Sequence, residues 1–223
     1  MKNKVVLITG SSSGIGRETA LRFASAGARL VLTYCKGKVR GRSVEQRCLN
    51  LGAAAALLLR LDVTDDRSIR AAVRKVLRTF GSVDILINNA GTGLFLPLKD
   101  QRAKDIERQV RTNLEGLIKT TQVFLPFVTK GIINIASAAG EKAYSEMVVY
   151  SASKFGVRGF TQGLALEYPR LSVCCVNPDM TATRLSGNEG RPASEVADVI
   201  FRVAAGKLRV KRGGDVDVWE FLG

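Results

Sequence analysis

The amino-acid sequence predicts a single α/β domain with three layers, in which a doubly wound parallel sheet lies between two layers of helices. Apolar runs alternate with amphipathic helical stretches along the chain, which is the order expected of repeated β-α-β units. The apolar runs are continuous, as they are in parallel strands that helices cover on both faces. With 223 residues and 46% apolar content, the chain is long enough for one sizeable core, and no segment has the composition of an internal linker.

The strands are predicted from the apolar runs, and helices connect them. The predicted strands are residues 4–9, 29–34, 55–61, 83–88, 131–136, 171–177 and 215–219. The segments between them have helical patterns, the longest from about Asp100 to Phe127. Because parallel strands all point the same way, their carboxyl ends form one crevice, which is where such sheets bind ligands.

The composition excludes several kinds of site. Histidine is absent, which removes Ser-His-Asp triads, histidine zinc sites and histidine general bases. The four cysteines, Cys35, Cys48, Cys174 and Cys175, lack the C-x-x-C spacing of zinc knuckles and thioredoxin-like sites. We therefore expect no metal centre, while a disulfide between two of these cysteines stays open at this point.

The chain is strongly basic, with a formal net charge of +14. Its cations are scattered along helical stretches and are not interleaved with aromatic residues, which make up only 6% of the chain. This pattern indicates solvated helix faces and a general attraction for anionic ligands, and we expect no nucleic-acid partner. No apolar run is long enough to span a membrane, and the first residues lack the features of a signal peptide. We therefore expect a cytoplasmic protein without a membrane partner.

A glycine-rich segment, TGSSSGIGRETA (residues 9–20), follows the first predicted strand. Gly10 allows a sharp turn, while Gly14 and Gly16 allow a ligand to approach the backbone and the helix to pack on the strand. The helix N-terminus then offers free N–H groups and a partial positive charge to a pyrophosphate. A plain glycine- and serine-rich loop is the alternative interpretation, but the position between first strand and first helix favours dinucleotide binding.

Further polar motifs occur at the ends of the later strands and in the helices that follow. In chain order they are Asp62 with Val63, the NNAG segment from Asn88 to Gly91, Asn113, Ser137, Tyr150 with Lys154, and Pro178 with Thr181. Together with the T-G-x-x-x-G-x-G spacing at the first turn, this series resembles the classical short-chain dehydrogenases/reductases. The resemblance extends over essentially the whole chain.

The resemblance implies a Rossmann-like fold and reversible hydride transfer between a nicotinamide nucleotide and a carbonyl or secondary alcohol. It implies that Tyr150 is the proton donor and base. A free tyrosine has a pKa near 10, and the ammonium of Lys154 one helical turn away is expected to lower it. Ser137 is expected to donate a hydrogen bond to the substrate oxygen, and Asn113 to position a water in a proton relay.

The resemblance also implies a set of cofactor-binding residues. They are Gly10, Ser12, Ser13, Gly14, Ile15, Gly16, Tyr34, Lys36, Asp62, Val63, Asn89, Ala90, Gly91, Tyr150, Lys154, Pro178 and Thr181. The segment after the second strand contains Lys36, Lys38 and Arg40 and has no acidic residue before Glu45, while Arg17 follows the glycines. Cations suit a 2′-phosphate, so we expect NADP, with NAD as the alternative because loop cations are common in so basic a chain.

The substrate is expected to bind beside a lid segment. Residues 180–192 are polar and glycine-containing, and we expect this lid segment to cover the substrate. Asp179 stands where the family has a glycine, so the turn beside the nicotinamide is expected to differ. The resemblance is to 3-oxoacyl-[acyl-carrier-protein] reductases and enzymes of short 3-oxo or 3-hydroxy acids, while sugar-derived ketones and pterins stay open. It also implies a homodimer or homotetramer.

Two other classes of function stay open at this point. A non-catalytic protein that senses NAD(P) and regulates a partner is the first alternative, and a nucleic-acid-binding protein on the same scaffold is the second. The complete set of Asn113, Ser137, Tyr150 and Lys154 favours an enzyme over a sensor, which would not need all four.

Overall fold

Seven parallel strands form one sheet in the computed structural model, which describes residues 1–222, and their order is β3-β2-β1-β4-β5-β6-β7. The strands are β1 (Val5–Ile8), β2 (Arg29–Tyr34), β3 (Ala55–Arg60), β4 (Val83–Asn88), β5 (Val128–Ile135), β6 (Ser172–Asn177) and β7 (Asp215–Asp217). Every neighbouring pair in this order is parallel. The predicted doubly wound sheet is therefore confirmed, with its switch point between β1 and β4.

Helices cover both faces of the sheet. They are α1 (Gly14–Ala24), α2 (Lys38–Asn50), α3 (Asp66–Phe80), α4 (Ala103–Val110), α5 (Gly116–Phe124), α6 (Val148–Glu167) and α7 (Ala193–Ala204). The single long helix expected near residues 100–127 is wrong, because a π-helical turn (Arg111–Glu115) separates α4 from α5. That wide turn contains Asn113.

The core explains why the strand runs are continuously apolar. Along β1, Val6 and Ile8 face a cluster with Phe23 and Phe201 from α1 and α7, and these two rings meet edge-on at 5.2 Å. Leu7 faces the opposite cluster, which is formed with α3, α5 and α6. Since both faces of the strand are buried, neither tolerates the polar residues that would create an alternating pattern.

Two strand boundaries differ from the prediction by more than one residue. Strand β5 begins three residues earlier than residue 131, because Val128 pairs with Val83 before a register shift in the β4–β5 ladder. Strand β7 is shorter than predicted, since the chain turns into a 3₁₀ turn (Val218–Glu220) directly after Asp217.

All four cysteines within residues 1–222 are free thiols. In the same part of the chain, no group of three or more acidic or cysteine side chains is placed to hold a metal ion. Nor does any helix described there have the length and apolar character needed to cross a membrane.

Candidate active site

A cleft of about 1150 Å³ opens at the carboxyl ends of the strands. The turns that follow β1 to β6 all contribute to its wall, together with the first turn of α6 and part of the lid segment. This edge of a doubly wound sheet, beside the switch point, is where ligands bind in such folds.

The glycine turn after β1 has the shape that a dinucleotide requires. Gly10 and Gly14 have φ of 68° and 55°, a region that favours glycine. A side chain at Gly16 would place its Cβ 2.5 Å from Nδ2 of Asn89, so the close packing of α1 on the sheet needs glycine there. Ser13 makes no side-chain cap hydrogen bond to α1, which leaves the first amide groups of the helix for a ligand. The turn therefore fits a pyrophosphate.

The NNAG segment holds this turn in place through Thr9. The Thr9 hydroxyl accepts hydrogen bonds from the backbone N–H groups of Asn89 and Ala90, both at 2.9 Å. In return, the Asn89 side-chain amide donates to the carbonyls of Thr9 at 2.9 Å and Gly10 at 3.3 Å. The sequence showed both motifs, but their mutual contact became visible only with the sheet order that makes β1 and β4 neighbours.

The opposite end of the cleft is lined by residues after β2 and β3. Lys36 and Arg40 lie on its wall, as does Asp62. Burial acts to raise the pKa of Asp62, but hydrogen bonds from the Thr64 hydroxyl and N–H hold it below its ordinary value. Asp62 is therefore ionised at neutral pH and able to accept a hydrogen bond from a ligand amine.

Four of the residues expected to contact the cofactor do not lie on the cleft wall formed by residues 1–222. Arg17 pairs with Glu18 at 2.7 Å, and Lys38 is exposed. Gly16 packs beneath the turn. Tyr34 is half-buried and lies beside Gly41 of α2. The remaining predicted cofactor residues all line the cleft.

Tyr150 and Ser137 face each other across the middle of the cleft. Ser137 begins the 3₁₀ turn Ala138–Gly140, where its Oγ accepts a hydrogen bond from Ala139 N–H at 3.1 Å. Burial raises the pKa of Tyr150, and a hydrogen bond with Ser137 partly offsets that effect. The Phe95 ring packs edge-on against the Tyr150 ring at 5.6 Å between centroids and restricts its orientation.

Lys154 lies one turn further along α6 and is only 5% exposed. Its Nζ donates to the Ile135 carbonyl at 2.8 Å and lies 5.6 Å from the centroid of the Tyr150 ring. Burial lowers the pKa of Lys154 to about 8. The expected lowering of the tyrosine pKa by this lysine is therefore wrong for the cofactor-free chain, because desolvation disfavours the charged form of both groups.

Asn113 is buried behind the cleft wall and holds the residues around it. Its side chain exchanges two hydrogen bonds with the backbone of Thr92, both 2.8 Å, and donates a third to the Ser153 hydroxyl at 3.0 Å. Ser153 in turn donates to the Tyr150 carbonyl at 2.6 Å. Asn113 Oδ1 and Lys154 Nζ both lie within 4 Å of the position that a Cβ of Gly91 would occupy.

Arg158 on α6 holds the turn after Ser137 in place. It was not singled out from the sequence. Its guanidinium donates to the Gly140 carbonyl at 2.8 Å and to both carboxylate oxygens of Asp215, at 2.9 and 2.8 Å. It thereby joins the turn that begins at Ser137, helix α6 and strand β7. In the sequence, only its position one turn after Lys154 could have suggested a role near the site. Its partner Asp215 lies 57 residues away along the chain.

Comparison with known families and proteins agrees with this geometry. Residues 4–193 match the family described as short chain dehydrogenase. The chain is 34% identical over 194 residues to a 3-ketodihydrosphingosine reductase from Bacteroides thetaiotaomicron, covering 84% of this chain and 68% of the relative. It is 33% identical over 206 residues to sulfoacetaldehyde reductase 2 from Chromohalobacter salexigens, covering 89% and 81%.

Solved structures show the same relationship. A short-chain dehydrogenase from Burkholderia cenocepacia, solved in complex with NADP, superimposes with a TM-score of 0.90 at 29% identity and covers 97% of this chain and 96% of that one. The family match includes the glycine turn and the segments that contain Asn113, Ser137, Tyr150 and Lys154. The chain therefore belongs to the short-chain dehydrogenase family, and it is an NAD(P)-dependent oxidoreductase.

Proposed function

We propose that the chain interconverts a carbonyl compound and its secondary alcohol, with NADP(H) as cofactor and Tyr150 as the group that exchanges the proton. Bound nicotinamide would supply or accept the hydride. The observation that carries this proposal is the placement of Tyr150, Ser137 and Lys154 on the wall of the same cleft as the glycine turn. A cytoplasmic location stays a prediction of the sequence.

Tyr150 suits the role of general acid in carbonyl reduction. Its raised pKa keeps the hydroxyl protonated at neutral pH, so a proton is available for a substrate oxygen. Ser137 accepts from Ala139 N–H, and its own hydroxyl hydrogen, which it shares with Tyr150 in the structure, would donate to that oxygen when a substrate binds. The two hydroxyls together would stabilise the negative charge that develops on the oxygen.

Lys154 and Asn113 would return the proton to Tyr150. Because the pKa of Lys154 is about 8, its ammonium gives up and regains a proton near neutral pH. Its Nζ and Asn113 Oδ1 both lie close to Gly91. We assign to Asn113 the positioning of a water that links Lys154 to solvent, and to Lys154 a hydrogen bond to the nicotinamide ribose.

The cations beside β2 support NADP over NAD. Lys36 and Arg40 line the cleft there, and Arg40 folds back over Gly37. Asp62, on the same stretch of wall, accepts both hydrogen bonds of Thr64 at Oδ1. A 2′-phosphate would therefore meet two cations that bind it by charge-assisted hydrogen bonds.

Replacing Lys36 with glutamate tests the cofactor assignment. We expect the KM for NADPH to rise by roughly 10- to 100-fold, because a phosphate contact is lost and a repelling charge is added. The KM for NADH should change little. The matched control is Lys38→Glu, since Lys38 is also exposed but lies off the cleft wall. The assignment would be contradicted if the wild type had similar KM values for NADH and NADPH and if Lys36→Glu changed both KM values equally or not at all.

The substrate end of the cleft favours a 3-oxoacyl or short 3-oxo acid type of carbonyl compound. Phe95, Met147 and Leu185 give it an apolar lining next to Tyr150. The relative described as a 3-ketodihydrosphingosine reductase bears a name of the same 3-oxo type. The test is oxidation of NADPH and NADH by the purified protein with acetoacetyl thioesters, short 3-oxo acids, diketones and quinones. Turnover confined to diketones or quinones would contradict the substrate class.

We also propose that the chain assembles through the outer face of α6. Val148, Phe155 and Leu166 are 49%, 45% and 79% exposed on this helix. Gly159 and Gly163 lie between them and have no neighbouring atom within 4 Å of a Cβ position, so a second helix would have room to approach. This face contains no charged residue between Val148 and Leu166, which is unusual in a chain with 24% charged residues.

Replacing Phe155 with arginine tests this assembly. Wild-type protein should elute as a dimer or tetramer in size exclusion with light scattering, and Phe155→Arg should shift it to the monomer mass of 24.1 kDa. A buried charge without a partner destabilises an interface strongly. Leu49→Arg, at an exposed apolar position on α2, is the control that should leave the assembly intact. A wild-type mass of one chain would disprove the proposal.

A further inference from the structure

The lid segment is tied together at its base by an ion pair. The guanidinium of Arg191 turns back to Asp179, where its Nε and Nη2 donate to the two carboxylate oxygens, the latter at 2.7 Å. Backbone hydrogen bonds run beside the pair, from Arg191 N–H to the Met180 carbonyl at 2.9 Å and from Ala182 N–H to the Arg191 carbonyl at 2.8 Å. The chain therefore leaves β6, forms the loop and returns to its starting point.

The ion pair explains the acidic residue that stands where the family has glycine. The carboxylate of Asp179 is only 33% exposed and the Arg191 side chain 20%, so the pair is partly removed from water. A two-pronged guanidinium–carboxylate contact is stronger and more directional than an ordinary surface pair. Arg191 also contacts Glu195 in the first turn of α7 at 3.2 Å, which anchors it to the core helix.

The interior of the loop is held by its own hydrogen bonds. The Ser186 hydroxyl is 2.6 Å from the Thr181 carbonyl, and Thr183 with Ser186 forms a capping box. Gly190 has a φ of 104°, and a Cβ there would lie 2.2 Å from the Met180 carbonyl oxygen. Since the loop has so little internal freedom, it is expected to move as one unit about its base.

The same loop touches the glycine turn. The Thr183 methyl lies 3.2 Å from the position of a Cβ at Gly14, and Thr181 and Leu185 line the cleft that contains Tyr150. Opening the loop would therefore uncover the pyrophosphate end and the middle of the cleft together. Its hinge would lie at the base, where Asp179 and Arg191 meet.

We propose that Asp179 and Arg191 are positioning residues that hold the lid segment against the glycine turn and thereby set how long NADP(H) stays bound. The ion pair is formed before any ligand arrives, so the lid segment is preorganised. Cofactor entry and exit then require the pair to open or the loop to shift about it. This inference rests on the proposed function only in that the cleft must bind NADP(H).

The test uses Asp179→Gly, which restores the family's residue and removes the carboxylate, and Asp179→Asn, which keeps its size. Two rates are measured: trypsin cleavage after Arg184 in the cofactor-free protein, followed by mass spectrometry, and NADPH dissociation, followed by stopped-flow fluorescence. Both should increase roughly tenfold in either variant, as expected from the loss of a charge-assisted contact. The KM for NADPH should rise in proportion while kcat is maintained.

Rescue separates positioning from a general loss of structure. Exchanging the charges, as Asp179→Arg with Arg191→Asp, should recover a substantial part of both rates, whereas Arg191→Gln alone should behave like Asp179→Asn. The control is Asp198→Asn, which breaks the Arg22–Asp198 pair of 2.9 Å between α1 and α7 and should change neither rate.

Each outcome bears on the proposal. Unchanged cleavage and dissociation in both Asp179 variants would overturn it. Faster cleavage after Arg184 with an unchanged rate of NADPH dissociation would also overturn it, because the loop would then not retain the cofactor. Failure of the wild type to bind NADPH would contradict the proposed cofactor, while the cleavage rate would still report whether the pair holds the loop.

Discussion

Replacing Tyr150 with phenylalanine is expected to lower turnover by roughly 10²- to 10⁴-fold, the contribution typical of a positioned general acid. The substitution removes the hydroxyl that would donate the proton and keeps the ring that packs edge-on against Phe95. Folding and NADPH affinity should therefore change little. The measurements are the rate of NADPH oxidation with the best carbonyl of the panel and a fluorescence titration of NADPH binding.

The appropriate control is Tyr144→Phe. Tyr144 lines the same cleft and is 44% exposed, and no role in proton transfer is assigned to it. A Tyr150→Phe protein that keeps most of its activity would disprove the mechanism. Activity absent from the wild type as well, despite tight NADPH binding, would favour the sensor alternative over the enzyme.

The architecture was predictable because it depends on local patterns. The continuous apolar run at residues 4–9 predicted a doubly covered strand, and β1 places Val6 and Leu7 in opposite cores. The T-G-x-x-x-G-x-G spacing predicted a cradle between strand and helix, which is where Gly10 and Gly14 adopt positive φ. Each of these features follows from residues that are close together in the chain.

The features that were missed depend on contacts between distant residues. Arg158 lies on α6, and its partner Asp215 comes beside it only because β7 pairs with β6. Asp179 was expected only to alter a turn, and its partner Arg191 lies twelve residues away. The change at the π turn between α4 and α5 was hidden because the chain stays helical through it and only one extra residue shifts the pattern. Burial, which no local pattern shows, sets the pKa of Tyr150.

Replacing Lys154 with methionine is expected to reduce turnover by a factor of roughly 10² or more, because a group in the proton path is removed. The same substitution is also expected to change how the affinity for NADP(H) depends on pH. Lys154 has a pKa of about 8 in the free chain, and contact with the ribose and the nearby phosphates would raise it in the complex. NADP(H) then binds the protonated form more tightly.

The sign of the pH dependence follows from this linkage. Wild-type affinity for NADPH should be constant below about pH 8 and should fall as the pH rises above it, by up to about tenfold per pH unit until the pKa of the complex is reached. Fluorescence titrations between pH 6 and 10 measure this. In Lys154→Met, affinity in this range should be lower and nearly independent of pH.

The same depressed pKa acts on folding with a definite sign. Between the folded value of about 8 and the ordinary value of 10.5, the unfolded chain binds more protons at Lys154 than the folded chain does. This lysine therefore makes the cofactor-free fold more stable as the pH rises through that window, and it costs stability below it. Thermal melts of wild type and Lys154→Met should therefore differ by an amount that changes across this window, with the melting temperature of the wild type rising relative to that of the variant.

If the two proteins kept a constant difference in both melting temperature and NADPH affinity, Lys154 would not be the titrating group. Its buried ammonium could then not act as the proton store that the mechanism assigns to it.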